Sequence, residues 1–319
     1  MKTNKYLAVS LLAALALSSC SNNEEEVIEP AATNMELSAG IGQSTRAVID
    51  ANYGNDLEVA FVRMNNPASN TTWITPAIDA TRAGGSGNTA ITFATAQTYS
   101  SDNGISALIG YYPCKTLETG ATNPVSVKYE ITGDEDIMAT ELQTGVANNQ
   151  FAPFTFQHLL TQLQFKCAGS AEAANKWTAI SSIKIKNVAT GLTLSLDKTN
   201  GATLAATGSA NQELSVVNCP ATVSAPSADA EPQIGYLMLY PATDMGTETS
   251  EISLEVVATY DGTSKTLTVP INNISGGVQA GQSHLITLNF TIDGEITVEA
   301  GIAEWQPGNG GSSIITPKN

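Results

Sequence analysis

Apolar and polar residues alternate with a period of two along most of this chain, and that pattern predicts strands. Met35, Leu37, Ala39 and Ile41 share one face of the first, a half-buried strand. Leu57, Val59 and Phe61 alternate with Glu58, Ala60 and Val62. Ile91 and Phe93 lie in a Thr-rich strand, and residues 105–112 form a continuous apolar run ended by Pro113. Val125, Val127, Tyr129 and Ile131 alternate cleanly. Further on, His158 opens a strand in which Leu159, Leu163, Phe165 and Cys167 share a parity. Ile183 and Ile185 alternate with Lys184 and Lys186, and Leu192, Leu194 and Leu196 with Thr193 and Ser195. Two hairpins turn at Asp261-Gly262 and Asp293-Gly294, residue pairs suited to tight primed turns. No long amphipathic helix competes; Ala171 to Trp177 reads as one short turn. The polar stretch Asn148-Asn149-Gln150, followed by Pro153, marks a boundary. The prediction is an all-β chain with two tandem β-sandwich domains, 47–150 and 151–305, and a tail at 306–319.

Upstream of the first strand the pattern changes. Lys2 and Lys5 precede an apolar stretch from Tyr6 to Leu17, then Leu17-Ser18-Ser19-Cys20. This is a charged region, a short apolar core and small residues before a cleavage point. The 12 apolar-region residues fall short of the roughly 20 needed to span a bilayer. Residues 1–19 therefore read as a removable export signal. Cys20 sits where the lipobox of bacterial lipoproteins places the lipidated cysteine, whose thiol takes a diacylglycerol and becomes the new N-terminus. The acidic, polar segment from Ser21 to Pro30 reads as a tether within residues 20–46.

Charge narrows the partners. The chain carries 14 basic and 30 acidic residues, a net −16. Loss of residues 1–19 removes Lys2 and Lys5 and makes the net charge −18. Such a surface repels phosphate backbones, so no nucleic-acid partner is expected.

Candidate chemistry is sparse. No nucleophile elbow, HExxH or phosphate-loop motif occurs, so no catalytic residue is assigned and no enzyme is expected. With two histidines and no CxxC pair, no metal site or cofactor is expected. His158 and His284 read as hydrogen-bonding strand residues. Gly133-Asp134-Glu135-Asp136 lacks the spacing of a calcium loop and reads as a solvated turn. Cys167 reads as a buried thiol, with Cys114 and Cys219 unassigned.

Five segments carry a resemblance. Phe154-Thr155-Phe156-Gln157-His158-Leu159-Leu160-Thr161-Gln162-Leu163-Gln164-Phe165 is similar to the F-x-H-x-L-(S/T)-x-L-x-F stretch of the fimbrillin family. Gly133-Asp134-Glu135-Asp136-Ile137-Met138-Ala139 resembles its D-(I/L)-M-x-A segment. Tyr236 to Pro241 resembles its apolar strand ending in Pro. Val278 to Leu288 resembles its (I/V)-x-A-G-x-x-(Y/H)-x-I-T-L motif, and Trp305 its terminal tryptophan. All five follow the family's order behind a lipobox.

The resemblance implies two transthyretin-like sandwiches and a subunit of the type V pili of anaerobic bacteria. It implies export as a lipoprotein held at the outer membrane by the lipid on Cys20. An arginine-specific surface protease then removes the N-terminal segment, and a strand from another pilus subunit fills the emptied groove. Here Arg46-Ala47 is the implied scissile bond. The removable groove-filling strand carries Met35, Leu37, Ala39 and Ile41. Arg82, before a glycine-rich loop, is a rival cleavage site, and Arg63 ends a strand. The remaining chain, 47–319, would carry a net −14. Ser312 to Thr316 offers at best a short C-terminal donor, which fits a tip or accessory subunit as well as a stalk subunit. Adhesion implies a host or bacterial surface ligand. The alternative is a non-polymerising surface lipoprotein that binds glycans, with Trp73, Tyr111 and Tyr112 as candidate aromatic platforms.

Overall fold

The computed structural model describes residues 33–302, apart from 43–48, 101, 119 and 227–231. The expected all-β class is what it shows. The first strands are β1 (Leu37–Ile41), β2 (Leu57–Asn65), β3 (Ile74–Arg82), β4 (Thr89–Phe93) and β5 (Ser106–Tyr112). Then come β6 (Val125–Glu130), β7 (Met138–Ala139), β8 (Gln143–Gly145), β9 (Phe154–His158) and β10 (Thr161–Gly169). One short helix, α1 (Ala171–Lys176), is capped by the Ser170 hydroxyl, which accepts from the Ala173 N–H. The remaining strands are β11 (Trp177–Val188), β12 (Gly191–Asp197), β13 (Gly201–Ala206), β14 (Gln212–Ser215) and β15 (Ile234–Leu239). They continue with β16 (Ile252–Tyr260), β17 (Thr263–Ile271), β18 (Ser283–Phe290) and β19 (Ile296–Ile302). Among the described residues no helix is long and apolar enough to cross a membrane.

The first sheet closes on itself. Its order is β2-β3-β4-β1-β9-β7-β5-β8, and β2 also pairs with β5, so only β8 lies outside the ring. Inside sit Leu57, Val59, Phe61, Leu108, Phe154 and Phe156 with the apolar side chains of β1. The opposite faces of β2 and β5 give Ala60, Val62, Met64, Ala107, Ile109 and Tyr111 to a second core. Burial on both faces explains the continuous apolar run at 105–112.

That second core is shared with three further sheets, of order β13-β12-β6, β15-β10-β18-β19 and β14-β11-β16-β17. Leu163, Phe165, Ile286 and Leu288 from one four-stranded sheet and Ile183, Ile185, Leu254 and Val256 from the other face the same interior, as in a sandwich. Trp177 plugs one end: its Nε1–H donates to the Thr291 carbonyl at 2.8 Å, and its ring meets Phe290 edge-on at 5.0 Å. The sheets run across residue 150, since β9 pairs with β1 and β7, and β12 pairs with β6.

Local signals explain several turns. Asp261 and Gly262 both have positive φ, 47° and 75°, the pairing a two-residue type I′ hairpin needs between β16 and β17. The strand expected to open at His158 is instead two strands. His158 closes β9, and β10 begins at Thr161 in another sheet. Leu159 and Leu160 make the crossover; the Leu159 N–H donates to Ile137 O and the Leu160 carbonyl accepts from Gly281 N–H.

Candidate strand slot between β4 and β9

β1 is the link that closes the first sheet. It runs antiparallel to β4, with Leu37 opposite Ile91 and Ala39 opposite Thr89. On its other side it runs parallel to β9, with Ala39 opposite Phe154 and Ile41 opposite Phe156. Pairing extends beyond the strand. The Met35 N–H donates to Gln97 O at 2.8 Å, the Tyr99 N–H to Thr33 O at 2.9 Å, and the Gly42 N–H to Phe156 O at 2.7 Å. The four predicted inward side chains are all buried: Met35 6%, Leu37 7%, Ala39 0% and Ile41 6% exposed. Burying Met35, Leu37 and Ile41 is worth about 1.5–3 kcal/mol each.

Aromatic rings line the slot. Phe61 packs edge-on against Phe93, Phe154 and Phe156 at 5.7, 5.5 and 6.2 Å. Gly110 on β5 makes room for them: a Cβ there would lie 2.8 Å from Phe61 Cε1 and 3.0 Å from Phe156 Cζ. Phe151 stacks on Tyr99 at 5.7 Å and meets Phe154 at the same distance.

Arg82 reaches under the slot from the end of β3. Its side chain is fully buried. Nε–H donates to the Ala39 carbonyl at 3.0 Å, Nη1 to Ala83 O at 3.1 Å, and Nη2 to Gly85 O and Gly87 O at 3.0 Å each. No carboxylate pairs with it among the described residues. A planar guanidinium with five fixed donors suits such a cluster of carbonyls, which a lysine could not hold. Arg82 is therefore not an exposed cleavage site. Arg63 is also buried, within β2, and donates to Asn65 Oδ1, Gln97 Oε1, Thr98 O and Ser106 Oγ. Arg46 and Ala47 lie outside the described residues, as do Cys20, Trp305 and Ser312 to Thr316.

The acidic turn divides. Asp134 and Glu135 bind the Thr132 hydroxyl at the surface. Asp136 turns inward instead, where its Oδ2 lies 2.6 Å from His158 Nδ1. Burial opposes charging of His158, but Asp136 outweighs it, with the Gly42 backbone and Asp50 adding to the pull, so the imidazole sits above its ordinary value. His284, buried on β18 with neither ring nitrogen partnered among the described residues, is held below its ordinary value by burial. No group of three or more metal-ligating side chains occurs among the described residues.

Other predicted features fall elsewhere. Trp73 and Tyr111 are fully buried, bonded to Asn123 Oδ1 and Lys115 O, so neither offers an aromatic platform; Tyr112 is half-buried. Cys167 is buried, and burial pushes its thiol up to about 12. Burial and Asp79 push Cys114 up to about 11. Sequence reading missed Arg82 as a clamp and Asp136 as a buried partner. The signals were present: Arg82 shares the inward parity of Ala80, and Asp136 directly precedes the apolar Ile137-Met138-Ala139.

A family model described as fimbrillin-like matches residues 45–305. The chain belongs to the fimbrillin-like family. Its match begins just after the β1 segment. The fimbrillin-like chain is similar in fold to a candidate cell adhesion protein from Bacteroides uniformis, with TM-score 0.61 and 17% identity over 86% of this chain and 98% of that one. A fimbrial protein from Bacteroides vulgatus aligns with TM-score 0.46 and 15% identity over 84% of this chain and 99% of its own. The tip fimbrial protein Mfa3 from Porphyromonas gingivalis, with a C-terminal truncation, aligns with TM-score 0.43 and 8% identity over 85% of this chain and all of that one. No curated protein matches the chain at a significant level.

Proposed function

We propose that this fimbrillin-like chain is a non-enzymatic structural and adhesive subunit of a type V-like pilus, assembled by strand exchange after proteolysis. On this reading Cys20 carries the lipid that holds the precursor at the outer membrane. A surface protease cuts between Arg46 and Ala47. Residues 33–42 then leave the slot, and a strand from another subunit takes their place. The mature subunit is extracellular, at the tip or elsewhere in the pilus.

One observation carries the reading. β1 closes the first sheet between β4 and β9, so its loss opens two strand edges and an apolar groove at once. Unpaired edges of this kind recruit another chain. The arginines support the choice of site: Arg63 and Arg82 are buried and bonded, while Arg46 comes five residues after the end of β1. The family match starting at residue 45 fits a chain whose preceding segment is separable.

Limited digestion with an arginine-specific protease tests this. One cut is expected, giving a folded core that begins at Ala47 and associates on a sizing column. First cleavage after Arg63 or Arg82, or collapse of the core, contradicts the proposal.

A further inference from the structure

The slot between β4 and β9 is keyed at its centre. Of the four side chains that β1 and Met35 before it turn inward, Ala39 is the small one, and it is completely buried. Its partner across β9 is Phe154, itself fully buried and held edge-on by Phe61 at 5.5 Å. Ala39 is fully enclosed in a close-packed interior, so a longer side chain there has no free space to enter. Two residues to either side the occupant is large. Leu37 faces Ile91 and Ile41 faces Phe156, and both positions hold large aliphatic side chains. Arg82 grips the same central residue through its carbonyl at 3.0 Å.

We propose that the slot selects a partner segment of defined pattern, with a small residue at the place of Ala39 and large aliphatic residues two positions before and after it. Arg82 is the positioning residue, holding the carbonyl of the small residue. The partner's origin in another subunit rests on the strand-exchange reading above. The pattern fixes register where backbone pairing alone does not. A slip of one residue turns the apolar face outward. A slip of two keeps the face but puts Leu37 or Ile41 where the closed interior holds an alanine, and overpacking a closed core is destabilising. An emptied slot leaves the Arg82 Nε–H without its strand carbonyl, while the other bonds still go to Ala83, Gly85 and Gly87. An incoming backbone that restores the bond is favoured, because an unmet donor on a charged group is costly.

Three labelled peptides added in excess to the full chain cut after Arg46 test this by fluorescence anisotropy. They are residues 33–42 as they stand, the same with Ala39→Leu, and the same with Leu37 and Ala39 exchanged. The unaltered peptide is expected to bind, and the other two about five- to a hundredfold more weakly. Equal binding of the exchanged peptide overturns the key. In Arg82→Met, or in Arg82→Lys if the first variant does not fold, the unaltered peptide is expected to bind roughly tenfold more weakly; unchanged binding overturns the role of Arg82. If no peptide enters, strand exchange itself fails, and the key is then decided in the uncut chain. There Ala39→Leu, and not Ser38→Leu, is expected to speed hydrogen exchange across 37–41; equal exchange in the two variants overturns it.

Discussion

His158 Nδ1 lies 2.6 Å from Asp136 Oδ2, and both side chains are withdrawn from solvent. The pair sits at the end of β9, beside the point where β1 leaves the sheet. It joins two segments that share family-like motifs but stand 22 residues apart in sequence. Because Asp136 holds His158 above its ordinary value against the cost of burial, folding takes up protons there. The resulting stabilisation is complete below the unfolded histidine value of about 6.5 and is lost as pH rises through the folded value. His284 works in the opposite sense, since burial lowers it, and its contribution is lost as pH falls. The difference in unfolding free energy between the unaltered chain and His158→Gln isolates the first effect. It is expected to be about 3–5 kcal/mol near pH 6 and to shrink toward pH 9. A difference that grows with pH contradicts the assignment.

Phe61 is the hub of the slot, with Phe93, Phe154 and Phe156 around it. Phe61→Ala is expected to cost about 3–5 kcal/mol in chemical denaturation. Ile302→Ala, at a position 61% exposed, is expected to change stability by less than about 0.5 kcal/mol. Comparable effects from the two would show that the rings do not hold the sheet closed.

Gly110 tests the same packing from behind. In Gly110→Ala the new methyl must push Phe61 or Phe156 aside, since the contacts would be 2.8 and 3.0 Å. A loss of about 1–3 kcal/mol is expected, with faster hydrogen exchange in β9. A neutral substitution would mean the two rings have room to retreat.

The turn between β16 and β17 offers a separate prediction, remote from the slot. Gly262 has φ of 75°, which a β-branched residue adopts at a cost of about 1–3 kcal/mol. Gly262→Val is therefore expected to destabilise the second core while leaving peptide binding to the slot unchanged. Altered slot binding would show that the two cores are not separable in this respect.

Much of this architecture is legible in the chain because its strands are amphipathic or turn-bounded. Met35, Leu37, Ala39 and Ile41 announce β1 by alternation, and Asp261-Gly262 announces its hairpin by composition. The break between β9 and β10 is hidden, since Leu159 and Leu160 are both apolar and mask the change of phase. Sheet membership is hidden for a different reason. Nothing local in Val125–Glu130 and Gly191–Asp197 reports that these strands pair across residue 150. Arg82 and Asp136 escaped because a charge in a loop-adjacent stretch normally points to solvent. Only the fold supplies the four carbonyls and the imidazole that make burial of these charges tolerable.

On the strand-exchange proposal, β1 is a replaceable occupant of its slot. Mass spectrometry of material assembled after cleavage decides this. Polymers built of chains that begin at Ala47 and contain no residues 33–42 are expected, and no polymer from an Arg46→Ala chain. Polymers that retain residues 33–42, or a cut chain that stays monomeric with that segment still bound, would contradict it.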